Sequence, residues 1–279
     1  MHKLNSKCQL FRLLGFSVIE LMVALAITAF LLIGLVQIFS SVRASYDLQE
    51  GLSRLQENAR FANSFMNDQL REVGYFPFAE HENGDINIGF LFPSVLRGDV
   101  PPPLIVDPVD GTIDGVGTAS DRLAVNIFDE RDCSGNLNPL TSTGNPAVGH
   151  KQIVFSHDAD NNELQFTCRF TLTPAVAVTP PNIITNQPVL NNVEALQFQF
   201  GEDQSGDGAA DLYVNAGGWL EVGNIVAIRV GLILTSPIIG SLPPDDQEIN
   251  LLNTDFAASG VAELRRPVVF NINLRNQTL

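Results

Sequence analysis

The chain reads as an α+β protein, one long N-terminal helix followed by a β-rich domain. Three observations predict this. An apolar run fills Phe16–Phe39, apolar residues continue at helical spacing to Val73, and from about residue 122 apolar and polar residues alternate in segments. The 22 Gly and 16 Pro, against only 17% charged residues, add a turn-rich character to the second part. Net charge is −15, from 16 Lys+Arg against 31 Asp+Glu, so the basic footprint of a nucleic-acid binder is missing.

Residues 1–15 hold Lys3, Lys7 and Arg12 and no acid. The 24 residues Phe16–Phe39 exceed the roughly 20 that span a bilayer as a helix. A basic flank before such a span predicts that residues 1–15 stay in the cytoplasm and the rest is exported. An ordinary secretory signal has an apolar core of about 7–15 residues, shorter than this one. A plain anchor fits the length but leaves Glu20 unexplained. A carboxylate in hydrocarbon costs several kcal/mol unless it is paired, which makes Glu20 the informative residue.

Beyond Phe39, Leu48, Leu52, Leu55, Ala59, Ala62, Met66 and Val73 form one apolar stripe, with Arg54, Glu57, Arg60 and Asp68 between them. A helix from Phe16 to about Gly74 would be roughly 90 Å long at 1.5 Å per residue. Gly74 is its expected stop. A membrane-proximal coiled coil would show the same stripe; the short run and the β-rich sequence after it favour packing against a domain.

G-F-S-V-I-E-L at Gly15–Leu21 resembles the class III signal of type IV prepilins and type II secretion pseudopilins. The resemblance implies a type IV pilin-like fold. It also implies cleavage by prepilin peptidase between Gly15 and Phe16, N-methylation of Phe16, and an assembly role for Glu20. Electrostatics supports the last point, because a subunit entering a filament could satisfy its Glu20 with the Phe16 amine of a neighbour in a low-dielectric setting. Major pilins usually carry a helix-kinking Pro in this span; here only Gly34 weakens it, which suggests a minor component. Leu48–Ala62, Asp68–Tyr75, Val226–Leu234 and Arg265–Asn276 resemble PilW-type minor pilins. Many relatives have a Cys soon after the Tyr; here Tyr75 is followed by Phe76, Pro77 and Phe78, so no disulfide carries over to that place.

The resulting division is a leader over 1–15, a membrane or filament-core half-helix over 16–39, an amphipathic half over 40–75, and a periplasmic β-rich head over 76–279. Losing the leader removes three basic residues and leaves 13 against 31, a net of −18. Phe76 to about Ser120, rich in Gly, Pro and Asp, reads as loop with room for one short strand. Strands are expected around Leu123–Ile127, Ile153–Phe155, Glu163–Phe170, Leu196–Phe200, Val226–Leu234 and Val268–Leu274, with a turn at Asp160–Asn162. One apolar and one polar face per strand implies an antiparallel sheet covered on one side, with the helical stripe as cover.

Cys8 lies in the leader, which leaves Cys133 and Cys168 facing an oxidising compartment, where a disulfide is the economical reading. It would close about 35 residues and contribute roughly 4 kcal/mol by loop entropy. Two free thiols, with Cys168 buried on its apolar face, are the alternative. In Glu202–Val214, residues Asp203, Ser205, Asp207, Gly208 and Asp211 occupy positions 1, 3, 5, 6 and 9 of an EF-hand-like loop that could hold calcium. Position 12 is Val214 rather than a bidentate Glu, and an acidic hairpin turn would look the same.

Nothing in the sequence recommends an enzyme. G-x-S-x-G, H-E-x-x-H and the P-loop are all missing, and His81, His150 and His157 fall in loop-like stretches. Asp129, Glu130 and Asp132 beside Cys133 read as a solvated loop. The functional expectation is a minor pilin that primes or tips a type IV pilus and needs no cofactor. Its partners would be prepilin peptidase, the major pilin, other minor pilins and a tip adhesin. It would sit in the inner membrane of a Gram-negative bacterium and in the extracellular pilus. A type II secretion pseudopilin shares the same plan, and an uncleaved, membrane-anchored periplasmic binding domain is the alternative from a different class.

Overall fold

The computed structural model describes residues 17–73, 111–139, 149–172, 182–220 and 224–274. The helix α1 runs unbroken over Val18–Leu70, beginning where the Leu21 amide donates to the Ser17 carbonyl. No proline interrupts it, and Arg54–Glu50 and Arg60–Glu57 bridge one turn on its exposed surface. The expected stop, Gly74, lies outside the described residues. Two compact units divide at Gln49/Glu50, so α1 contributes to both.

In the second unit, α1 buries Gly51, Leu55, Ala62, Met66 and Leu70, with Val73 just beyond. The stripe is the expected one, with Gly51 and Leu70 added and Leu48, Leu52 and Ala59 only partly covered. Phe65, outside the expected stripe, meets Phe155 and Phe166 edge-on at 6.1 and 5.5 Å between centroids, the geometry aromatic quadrupoles favour.

The strands are β1 (Leu123–Asp129), β2 (Gly149–Asp158), β3 (Glu163–Leu172), β4 (Asn182–Asn191), β5 (Val193–Glu202), β6 (Leu212–Val214), β7 (Ile225–Thr235), β8 (Ile249–Leu251), β9 (Thr254–Phe256) and β10 (Arg265–Asn273). They form two four-stranded antiparallel sheets, ordered β1-β2-β3-β4 and β10-β7-β5-β6, plus the hairpin β8-β9. The single sheet expected from alternation is therefore two. A strand's own pattern marks its buried face but not the sheet it joins. The strand β4 was not foreseen: its sequence is polar, contains Pro188 and turns through a left-handed Asn186 (φ 47°). His150 and His157, expected in loops, both lie in β2.

One apolar cluster joins α1 to Leu123, Val125 and Ile127 of β1, Ile153 and Phe155 of β2, Leu196, Phe198 and Phe200 of β5, and alternate residues of β7. The second sheet is covered on its other face as well, against the expectation of a single covered face. There Leu251 and Phe256 of the hairpin pack on Ala195 and Ile233. A Cβ on Gly231 would lie 2.9 Å from a methyl of Leu252, so a larger residue there would have to displace the hairpin's leucine side chains. Hence Gln197 and Gln199, which look like solvent-facing residues, are each 3% exposed. They donate to the carbonyls of Ala119 and Leu252.

Two buried polar clusters fix how these pieces meet. Asp121 accepts from the amides of Gly115 and Phe198, and the Ser120 hydroxyl accepts from the Leu196 amide and contacts Nδ1 of His157. The segment before β1 is thus tied to β5 of the other sheet. Arg265, its side chain 1% exposed, forms a bidentate pair with Glu194 at 2.7 and 2.6 Å, and bonds Asp245 at 2.7 Å. It also donates to the carbonyls of Gln247 and Ala257, drawing the β7–β10 connection onto β5.

Removing Arg265 leaves two carboxylates without their cation. Arg265→Met therefore costs about 3–5 kcal/mol in urea unfolding of the full chain in detergent; a loss below about 1 kcal/mol would contradict the assignment. A second prediction concerns pH. Burial raises the Asp121 carboxyl to about 6, so its contribution to stability falls as pH rises through that region from the ordinary 3.8. Burial lowers His150 to about 4 and lowers His157, whose contributions rise with pH over the same range. Asp121→Asn removes the opposing member, so its stability climbs more steeply than wild type between about pH 4 and about pH 6. Parallel curves would exclude this role for Asp121.

Candidate functional site

Among the described residues, α1 is the one helix long and apolar enough to cross a membrane. Its first unit presents large apolar side chains on every side, from Val18 (76% exposed) through Leu25 and Phe30 (79%) to Phe39. An amphipathic helix would hide one stripe and wet the other; apolarity all round suits lipid or the packed interior of an assembly. Thr28 sends its hydroxyl back to the Ala24 carbonyl, so this span satisfies one of its own polar groups.

Glu20 stands in the first turn of α1. Two effects act on its carboxylate there. The helix N-terminus favours negative charge, while the apolar surroundings demand a partner. Among the described residues Glu20 makes no hydrogen bond or ion pair, and it is exposed. Gly15 and Phe16, the expected processing site, lie outside the described residues.

Cys133 and Cys168 are bonded, their Cα atoms 5.8 Å apart, across 35 residues. The bridge pins the turn after β1 to β3. That turn is closed by Asp132, whose carboxylate accepts from the amides of Ser134 and Asn136. Asp129 at the end of β1 pairs with the buried Lys151 of β2, so it is not the freely solvated group its sequence neighbourhood suggests.

The acidic loop between β5 and β6 folds as a hairpin connection whose carboxylates turn inward to its own amides. Asp203 accepts from Gly206 at 2.6 Å, Gly208 at 2.7 Å and the Ser205 hydroxyl. Asp211 accepts from Gln204 and Ser205, and Asp207 from Ala209. Gly206 and Gly208 take φ of 78° and 83°, the left-handed turns that aim these amides at Asp203. The Gly208 amide, followed by those of Gly206 and others against an opposing effect of burial, holds the Asp203 carboxyl below its usual range. Asp203, Ser205, Asp207 and Asp211 are thus not gathered around a common centre. Among the described residues no group of three or more His, Cys, Asp or Glu is placed to hold a metal. The spacing that suggests calcium is also that of a loop closed on its own amides, and here the oxygens accept from those amides.

Residues 159–276 match the family model described as Type IV Pilus-assembly protein W. The match runs from the β2–β3 turn through β10 and includes two of the segments, Val226–Leu234 and Arg265–Asn276, on which the PilW resemblance was drawn. It bears out that resemblance independently of the N-terminal signal, which lies outside it. No curated protein matches the chain. A type IV-like pilin from Thermus thermophilus is similar over 81% of this chain and 98% of its own, at 12% identity and a TM-score of 0.45.

If Asp203 serves only to close its loop, Asp203→Ala lowers the melting temperature equally in calcium and in chelator. It also removes the share of stability that wild type loses as pH falls below the usual carboxylate range. A loss seen in calcium alone would support the metal reading instead.

Proposed function

We propose that this chain, whose residues 159–276 match the PilW model, is the precursor of a minor pilin that helps to prime or tip a type IV pilus. The observation that carries the proposal is α1 itself. An unbroken helix leads from an apolar segment bearing a carboxylate with no partner among the described residues into a stripe that anchors a two-sheet domain. A plain membrane anchor has no use for that carboxylate; a subunit stacking against its own kind does.

In this reading prepilin peptidase cuts between Gly15 and Phe16, and Phe16 is N-methylated. Glu20 of the incoming subunit then accepts the Phe16 amine of a neighbour, so that charge is neutralised only in the correct axial register. The chain acts by binding and holds no catalytic role. Its partners are other minor pilins, the major pilin and a tip adhesin, and its places are the inner membrane and the extracellular filament.

Mass spectrometry of the N-terminal peptide tests processing and location together. Methylated Phe16 in sheared surface filaments is expected. Confinement of the methylated form to membranes would point to a secretion pseudopilus, and an uncut Met1 form everywhere would overturn the pilin reading. Glu20→Ala is expected to leave cleavage intact and to remove the chain from filaments; normal incorporation would end the assembly role.

A further inference from the structure

Four strand edges border the two main sheets, and three of them are blunted. The edge β6 is three residues long. The edge β4 is broken by register shifts at Leu164/Gln165 and Phe166/Cys168 of its partner, by the left-handed Asn186 and by Pro188. The edge β1 is capped where the Thr112 hydroxyl serves both the amide and the carbonyl of Ala124, beside the Ile113–Arg122 bridge. Such devices are how proteins keep sheet edges from pairing with other chains.

The fourth edge, β10, carries one such device, Pro267 near its start, and among the described residues is otherwise regular. It pairs with β7 over nine residues without a register shift. The Leu274 amide donates to Val226 and the Ser236 amide to the Leu264 carbonyl, so even-numbered residues of β10 face β7. The odd positions, Pro267, Val269, Asn271 and Asn273, turn their backbone groups outward, and all four are exposed. Pro267 sits at an outward position, where its missing N–H costs the β7 ladder nothing. Val268, Val269 and Phe270 give the edge an apolar centre, and Arg266 gives it one exposed charge with no ion pair among the described residues.

We propose that the outer edge of β10 receives an extended strand from a different pilus subunit, with β-branched or apolar residues beside Val269 and a carboxylate beside Arg266. The proposal rests on the pilin reading for the identity of the partner. A second copy of this chain fits poorly. Antiparallel self-pairing about Val269 sets Pro267 against Asn271 twice, and each time an N–H is missing from the new ladder. Charge favours a partner with a single acid, because the chain is net −15 and would repel a strongly acidic segment anywhere but at Arg266.

The test places a photo-crosslinking residue at Asn271 of the full-length chain in its own membranes, with a control at Ile183 on β4. Adducts from 271 to an extended segment of another pilus subunit, scarce from 183, are expected. Val269→Pro removes one outward N–H and should cut those adducts about tenfold, the effect of losing about 1.4 kcal/mol, while Val269→Thr retains them. Melting of the solubilised chain shows whether Val269→Pro stays folded; if it does not, Arg266→Glu replaces it and should cut adducts likewise. Adducts to a second copy, adducts to lipid alone, no adduct, or adducts undiminished in a folded variant would each overturn the proposal. A processed chain without the adduct would sink the edge alone, whereas an uncut chain that gives the adduct would sink only the pilin processing.

Discussion

Everything in the folded domain depends on burying one stripe of α1. Leu55, Ala62, Met66 and Leu70 are at most 1% exposed, and the strands that cover them come from both four-stranded sheets. At about 1.5–3 kcal/mol for each fully buried large side chain, this seam is a large share of what a marginally stable domain has to offer. The apolar inner faces of both sheets share one cluster with the helical stripe, and Gly51 lies against Ile239 and Leu264 of the β7–β10 connection. The two sheets and the stripe are therefore one cooperative core.

Apolar packing of this kind is not directional, so buried polar groups decide which pieces meet. Asp121 and Ser120 bond amides of β5, Gln197 and Gln199 reach loop carbonyls, and Arg265 gathers Glu194 and Asp245. Each of these bonds contributes modestly when made and costs more when broken, because the abandoned partner stays buried. The strained backbone of Leu252 (φ 49°) belongs to the same logic. Its side chain covers Gly231, and its carbonyl accepts from Gln199, so an unfavourable local geometry is held by contacts on both sides.

One helix thus serves two environments by a change of pattern along its length. Up to Phe39 it is apolar on all sides with a single carboxylate; from Gly51 it is apolar on one stripe only. The first pattern suits lipid or packed helices, and the second suits a globular partner. No proline interrupts α1 through Gly34 and Gln49, so the change of pattern falls within one continuous helix.

The α+β class, the long helix, its buried stripe, most strands and the Cys133–Cys168 pair were legible in the sequence, because each is written in local periodicity or in a parity of cysteines. Glu20 stands out in the sequence as a lone acid in an apolar run, and its assembly role is the proposal built on that anomaly. The tertiary structure alone decided that there are two sheets, that Gln197 and Gln199 are buried, that the unforeseen β4 pairs with β3, and that Arg265 sits in a carboxylate cluster. It also decided that the acidic β5–β6 loop uses its oxygens on its own amides. The reason is common to all of these. Periodicity reports which face of a segment avoids water, but which segment lies across from it, and which buried polar group answers which, depends on contacts between residues far apart in the chain.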